Sequence, residues 1–237
     1  MLLFSHFFAI AKFVYLCGEE RQHRVIPFVD IHTHLPLAEE TIGLTSHRLG
    51  IEPTAGIGAD SSVGIHPWDV EKVGAVEPLL RQMRSIPCRA IGEAGLDKAC
   101  DADFSRQMEF FERQVVIAAE RNIPLIIHCV RAQSEILAIL RHYPNLKAVI
   151  FHGFIGSPEQ ATELTSRGYH ISFGFGALRS PKTVNALRGC SGSALFLESD
   201  TADGSVSTLY EQVAEVRKVD VATLKREIYD NYIRIFG

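Results

Sequence analysis

The chain has 237 residues, 46% of them hydrophobic and 22% charged, with a net charge of −4 at pH 7. That composition belongs to a globular protein with a full core, and the acidic balance argues against a protein that grips nucleic acid by bulk electrostatics. The five cysteines are odd in number and none stands in a Cys-x-x-Cys pair, which speaks against a thiolate zinc site or a disulfide framework and fits a reducing cytoplasm.

In chain order, the apolar stretch MLLFSHFFAIAKFVYLC comes first. It is too short to span a bilayer comfortably, Lys12 interrupts it, and it lacks the basic start and small-residue cleavage site of a signal peptide. With the polar run to Arg24 it reads as an appendage, residues 1–24, outside a single domain over 25–237. His6 and His23 fall in that appendage and are not ligand candidates. No membrane partner is expected, and a monomer is.

From Val25 onward short apolar runs alternate with helical patterns. Strands are expected at Val25–Ile31, Ser62–His66, Arg89–Glu93, Leu125–His128, Ala148–His152, His170–Phe173 and Ala194–Glu198, with a weaker one near Arg48–Ile51. Helices fit Glu71–Ser85, Phe104–Arg121, Ala132–His142, Pro158–Arg167, Pro181–Leu187, Val206–Val216 and Val221–Phe236. Ser157-Pro158 and Ser180-Pro181 each place an N-cap before a proline at the first helical position. Continuous apolar strands between helices imply a parallel sheet covered on both faces. Eight such units make a (β/α)₈ barrel of TIM type, compact at about 210 residues where ~250 is usual. The alternative is an open doubly wound sheet, although Gly56-Ile57-Gly58 is too incomplete for a dinucleotide loop. Charge is uneven along the chain. Between Arg121 and Cys190 eight Lys/Arg face three Asp/Glu, either a solvated surface or a basic rim around a site.

Residues able to bind metal stand at the ends of these strands. His32 and His34 are two apart and leave the same face of the first strand. Glu93, His128, His152 and Asp200 each follow a further apolar run. In a parallel barrel all these ends open on one face, where such folds carry their active sites. Four imidazoles and two carboxylates exceed the needs of one zinc ion and suit a pair of divalent ions sharing a carboxylate. Without thiolates, Zn²⁺ and Mn²⁺ suit the set, with Mg²⁺ admissible but less suited to so many histidines.

Taken together, Asp30-Ile31-His32-Thr33-His34, Gly64-Ile65-His66-Pro67-Trp68, Ala90-Ile91-Gly92-Glu93-Ala94-Gly95-Leu96-Asp97, Pro124–Cys129, Phe151–Ser157, Ile171–Gly174, Leu197–Asp200 and Asn231–Phe236 closely resemble the TatD family of metal-dependent hydrolases, best known as deoxyribonucleases. The resemblance covers about residues 27–237. It implies His32 and His34 as ligands of a first ion, Glu93 as the bridge, and His128 and His152 as ligands of a second. Asp200 would bind the first ion and take the proton of the attacking water, so that Asp200 and Glu93 carry the catalytic roles. His66 matches a substrate-side histidine, and Asp30 and Asp97 match groups that orient ligands. The activity implied is phosphodiester hydrolysis at a DNA 3′ end by a hydroxide bridging two ions. The alternative is an amidase or esterase acting on a small molecule.

The chain also departs from the family. The segment from His34 to His66 is short, so the second strand and its loop are expected to be trimmed. Val130 stands where the family has arginine, leaving Arg131, one residue later, as the candidate phosphate clamp. Thr201-Ala202 replaces Ala-Pro after Asp200, and Asp203 adds negative charge there. His47, His142 and His170 are expected on loops, a helix end or a strand start. Trp68 is expected to form a wall of the cleft or a core anchor, and Lys98 to be solvated.

Overall fold

The computed structural model describes residues 26–237. The appendage expected over residues 1–24 lies outside the described residues. Eight strands form one sheet in sequential order, each pair parallel. They are β1 (Phe28–Thr33), β2 (Thr41–Arg48), β3 (Ser61–Gly64), β4 (Ala90–Asp97), β5 (Leu125–Val130), β6 (Val149–Phe151), β7 (His170–Phe173) and β8 (Leu195–Leu197). The helices are α1 (Val76–Ser85), α2 (Phe104–Arg121), α3 (Gln133–Leu140), α4 (Pro158–Ser166), α5 (Pro181–Gly189), α6 (Val206–Arg217) and α7 (Val221–Phe236). The expected barrel is therefore present. Its strands are apolar on both faces because side chains fill the interior on one side and meet helices on the other. Val29, Ile31, Ile91, Ile126, Ile150, Ile171 and Phe196 are all fully buried.

β2 is where sequence and structure part. It runs over Thr41–Arg48, not near Arg48–Ile51, and at eight residues it is not trimmed. What the short segment lacks is helix, since none follows β1 or β2 before α1. Residues 34–40 return the chain to the start of β2 through bends and a turn, without helix. The exposed pattern of β2 agrees with this: Thr41, Thr45 and His47, on one face, are half-buried, while Leu44 and Ser46, on the other, are buried. A strand that no helix covers needs no apolar outer face, and that polarity hid it from an apolar-run search.

Three strands, β1, β4 and β5, run past their expected ends. β4 continues beyond Glu93 to Asp97 by pairing Gly95 with His128 and Asp97 with Val130 of β5. A Cβ at Gly95 would stand 1.9 Å from the His128 carbonyl oxygen, so the approach needs glycine. Helix α1 starts later than expected. A 3₁₀ turn at Pro67–Asp69 binds Lys72 and Val73 through the Asp69 carbonyl, and the chain passes Gly74 before α1 begins.

The barrel closes between β1 and β8 in two ways. At the upper rim Asp200 N–H donates to the His32 carbonyl and His34 N–H to the Asp200 carbonyl, both at 3.0 Å. Lower down, the Tyr210 hydroxyl from α6 donates to the Val29 carbonyl at 3.0 Å and accepts from Val29 N–H at 3.2 Å. A side chain thus satisfies the polar edge that three-residue β8 cannot reach. The closing contacts at the rim are made by three of the residues expected to bind metal.

Candidate metal centre

The strand ends bring His32, His34, Glu93, His128, His152 and Asp200 together, with His66 beside them. Glu93 is the centre. Its Oε1 lies 2.7 Å from His128 Nδ1, 2.7 Å from His152 Nε2 and 3.0 Å from His66 Nε2. Its Oε2 faces the other way, 3.3 Å from His34 Nε2 and 3.6 Å from His32 Nε2. Asp200 Oδ1 completes that second side at 3.7 Å from His34 Nε2 and 3.8 Å from His32 Nε2.

These donors fit metal ions on chemistry and, around His32 and His34, on spacing. Both ring nitrogens of His32 are buried and have no hydrogen-bond partner among the described residues. A fully buried imidazole with neither nitrogen paired is costly unless something binds it. Two ligands about 2.1 Å from a tetrahedral ion stand roughly 3.4 Å apart, close to the spacings around His32, His34, Glu93 and Asp200. Charge points the same way. Burial presses the Glu93 carboxyl upward, but His152, His128 and His32 outweigh it and hold it well below the usual carboxylate range. Burial would lower His152, yet Glu93 and Glu198 raise it well above an ordinary imidazole. His34 is raised by its contact with Glu93 against the pull of burial. The carboxylates demand positive charge here, and divalent cations supply it without protonated imidazoles.

A second set of carboxylates orients the rings. His128 Nε2 lies 3.1 Å from Asp97 Oδ2, and His152 Nδ1 lies 3.3 Å from Glu198 Oε1. In each ring the nitrogen away from Glu93 meets a carboxylate, which fixes ring and tautomer as carboxylates behind metal-bound imidazoles do. Asp97 also accepts from the Trp68 indole at 2.7 Å, and Ser172 donates to Glu198. Asp30 accepts from Ser199 N–H at 3.0 Å and from its hydroxyl at 2.6 Å, anchoring the strand end that carries Asp200. Burial pushes the Asp30 carboxyl up to about 6 even so.

His66 has a different character. Trp68 N–H donates to its Nδ1 at 3.1 Å, so in the neutral ring the proton sits on Nε2. Burial lowers its pKa, which keeps the ring neutral. Its Nε2–H therefore points at the centre as a donor, whereas a ligand nitrogen must be bare. A buried glutamine holds this loop in place. Gln114 of α2 accepts from Ile65 N–H at 2.7 Å and donates to the Ile65 carbonyl at 3.0 Å.

The cleft over the centre encloses about 410 Å³, lined by every donor residue but buried His32, with His66, Arg48, Glu52, Trp68 and Thr201. Trp68, 46% exposed, is a cleft wall, as expected. Arg131 is not brought to the cleft. It is exposed, with φ of 53°, and lines a neighbouring groove with Cys129, Phe154 and Gln160 that touches the centre only through His152. Lys98 pairs with Glu135, and His47 lies within β2, not on a loop. His142 lies after α3, and burial and Arg234 pull His170, at the start of β7, down to about 4. Three of the eight basic residues between Arg121 and Cys190 lie away from the centre. Arg141, Lys147 and Arg167 surround a larger hollow of about 500 Å³ at the opposite strand ends, which contains none of the converging donors. Sequence reasoning missed two residues of the site, Glu198 and Arg48. Glu198 carried a signal, standing two residues before Asp200 and so on the same face of the strand end.

Proteins similar to this chain include metal-dependent hydrolases and an exonuclease. An uncharacterized metal-dependent hydrolase of Haemophilus influenzae is 31% identical over 153 residues, 60% of this chain and 58% of its own length. The Escherichia coli K12 uncharacterized metal-dependent hydrolase YjjV is 30% identical over 184 residues, 72% of this chain and 70% of that protein. The 3′-5′ ssDNA/RNA exonuclease TatD of Pantoea ananatis is 30% identical over 118 residues, 47% of this chain and 44% of that protein. The chain thus spans between 44% and 70% of these relatives' lengths. The crystal structure of the E. coli YjjV TatD homologue superposes with a TM-score of 0.76 at 21% identity, over 88% of this chain and 97% of that one, which shows the barrel fold. A family model described as TatD related DNase matches residues 55–237, the part that carries every donor except those of β1. With the β1 histidines meeting that part at Glu93 and Asp200, the chain belongs to the TatD-related DNase family.

Proposed function

We propose that this protein is a hydrolase using two divalent ions, Zn²⁺ or Mn²⁺, and that its substrate is a phosphodiester at a DNA 3′ end. The observation that carries the reading is Glu93, whose two oxygens face two separate groups of donors. His32, His34 and Asp200 would hold one ion, His128 and His152 the other, and Glu93 both. Ions bound there acidify water and neutralise charge on a phosphoryl oxygen. The chain's own residues do the rest. Asp200, 43% exposed at the cleft floor, accepts the proton of the attacking water. His66, with Nε2–H aimed inward, donates to a substrate oxygen. Asp97 and Glu198 keep His128 and His152 turned toward the centre. The free thiols of Cys88, Cys100, Cys129 and Cys190 support a reducing compartment, the cytoplasm. Among the described residues no helix is long and apolar enough to cross a membrane.

The test is an assay of metal-reconstituted protein on single-stranded DNA with a free or blocked 3′ end, beside small phosphate and carboxylate esters and amides. Shortening of the free strand alone, lost in chelator, is expected. The acidic Glu52 at the cleft lip favours the second reading, an esterase or amidase on an uncharged molecule. Turnover of those substrates with DNA left intact would establish that reading in place of the first.

A further inference from the structure

Among the described residues, Arg48 is the one lysine or arginine that lines the cleft. It ends β2, its Cα paired with Gly64 at the end of β3, which places it beside the loop of His66. Its guanidinium is held from one edge. Nε lies 2.7 Å from Asp69 Oδ2 and Nη2 2.6 Å from Asp69 Oδ1. Asp69 is 1% exposed in the 3₁₀ turn after His66, so the anchor is fixed in the fold. A guanidinium carries five N–H donors in a rigid plane, and this pairing occupies two of them. Among the described residues the group's only hydrogen bonds and ion pair are with Asp69, which leaves the Nη1 edge without a partner. Of the aspartate, glutamate, lysine and arginine side chains lining the cleft, the others, Glu52, Glu93 and Asp200, are carboxylates and repel an anion.

We propose that Arg48 recognises the anionic substrate. Its free edge takes a phosphate oxygen of the strand outside the scissile group, and Asp69 fixes the direction in which that edge points. This role rests on the phosphodiester reading above and adds to it the residue that selects a charged substrate. A guanidinium committed at one edge loses little further freedom on binding, and its planar fork matches phosphate oxygens.

The test compares wild type, Arg48→Lys and the double variant Arg48→Gln/Asp69→Asn, all metal-loaded. The double variant replaces the ion pair by a neutral amide pair, so Asp69 is not left as a buried unpaired charge. Two quantities are read: KM and kcat on a single-stranded oligonucleotide, and the Kd of inorganic phosphate by calorimetry. In the double variant both KM and Kd should rise about tenfold or more, the scale of one charge-assisted hydrogen bond, with a smaller change in kcat. Arg48→Lys, which keeps charge but not the fork, should fall between. A folded double variant whose phosphate Kd stays within about twofold of wild type, short of one hydrogen bond, overturns the proposal and leaves Arg48 as the partner of Asp69 alone. If the double variant fails to fold, Arg48→Lys decides by the same two readings. If wild type cleaves no oligonucleotide, the phosphodiester reading fails by itself, and the phosphate calorimetry still decides Arg48.

Discussion

Asp200 joins two duties that a single substitution can separate. Its main chain closes the barrel rim through His32 and His34, while its carboxylate faces the cleft at 43% exposure. Asn preserves the first duty, because it keeps the backbone bonds and tolerates the positive φ of 53° as well as Asp does. It loses the second, since an amide neither accepts the water's proton nor carries charge. Asp200→Asn should therefore lower kcat by about 10²–10⁴-fold at saturating Mn²⁺ or Zn²⁺ with an unchanged circular dichroism spectrum. His142→Asn, which alters an exposed ring in contact with Arg141, should leave turnover as it is. An Asp200→Asn enzyme keeping more than about a tenth of wild-type turnover would remove Asp200 from the proton transfer. The donor set was legible because a strand's two-residue period and its C-terminal end both show in the letters. Arg48 was not, for a local reason. A strand placed near Arg48–Ile51 puts that residue at the closed end of the barrel, whereas β2 ends on it. Arg131 misled in the opposite way, since its left-handed backbone and exposed side chain after β5 leave it outside the cleft.

At the scale of elements, α2 acts as a strap across the rim. Gln107 and Gln114 stand seven residues apart, two helical turns, so both face the barrel, and both are buried. Gln107 accepts from Asp97 N–H at 2.8 Å and donates to the Asp97 carbonyl at 3.1 Å. Gln114 does the same for Ile65 and adds the Phe110 carbonyl at 3.2 Å. The helix thus fixes the main chain behind Asp97, which orients His128, and behind His66. Gln114→Leu keeps the bulk but strands the Ile65 N–H and C=O without partners. With each buried orphan costing about 1–3 kcal/mol, the variant should lose about 2–6 kcal/mol in a denaturant titration, and kcat/KM should fall because the His66 loop shifts. A loss below about 0.5 kcal/mol, no more than a neutral surface change gives, would show that the two groups find other partners. The span of α2 is readable from Phe104 to Arg121 because its periodicity is long and Asp103 caps it. The strapping is not, because a buried glutamine on an apolar face is indistinguishable in sequence from a solvated one.

For the whole molecule, the barrel class followed from alternating apolar runs and helices, but how the barrel closes did not. Closure depends on Asp200 and Tyr210, a single residue pairing across the rim and a side chain filling in for a strand, and neither leaves a periodic signal. That closure couples the fold to the donors. His32 sits fully buried at the seam with both nitrogens unpaired among the described residues, and the imidazoles around Glu93 compete for one carboxylate. Divalent ions that bind this arrangement, and not the unfolded chain, must stabilise it by mass action. One ion present at a hundred times its Kd adds about 2.7 kcal/mol. For a domain of this size 1 kcal/mol moves Tm by about 2–4 °C, so stripping the ions should lower the melting temperature by about 5–10 °C per site. Calorimetric melts of full-length protein as purified, after chelation, and after stepwise return of Zn²⁺ or Mn²⁺ measure this directly. Recovery should come in two equivalents, because Glu93 offers a separate oxygen to each group of donors. Recovery complete after one equivalent would reduce the centre to a single ion. Melts that coincide with and without chelator would mean that the unpaired nitrogens of His32 are not there to hold metal.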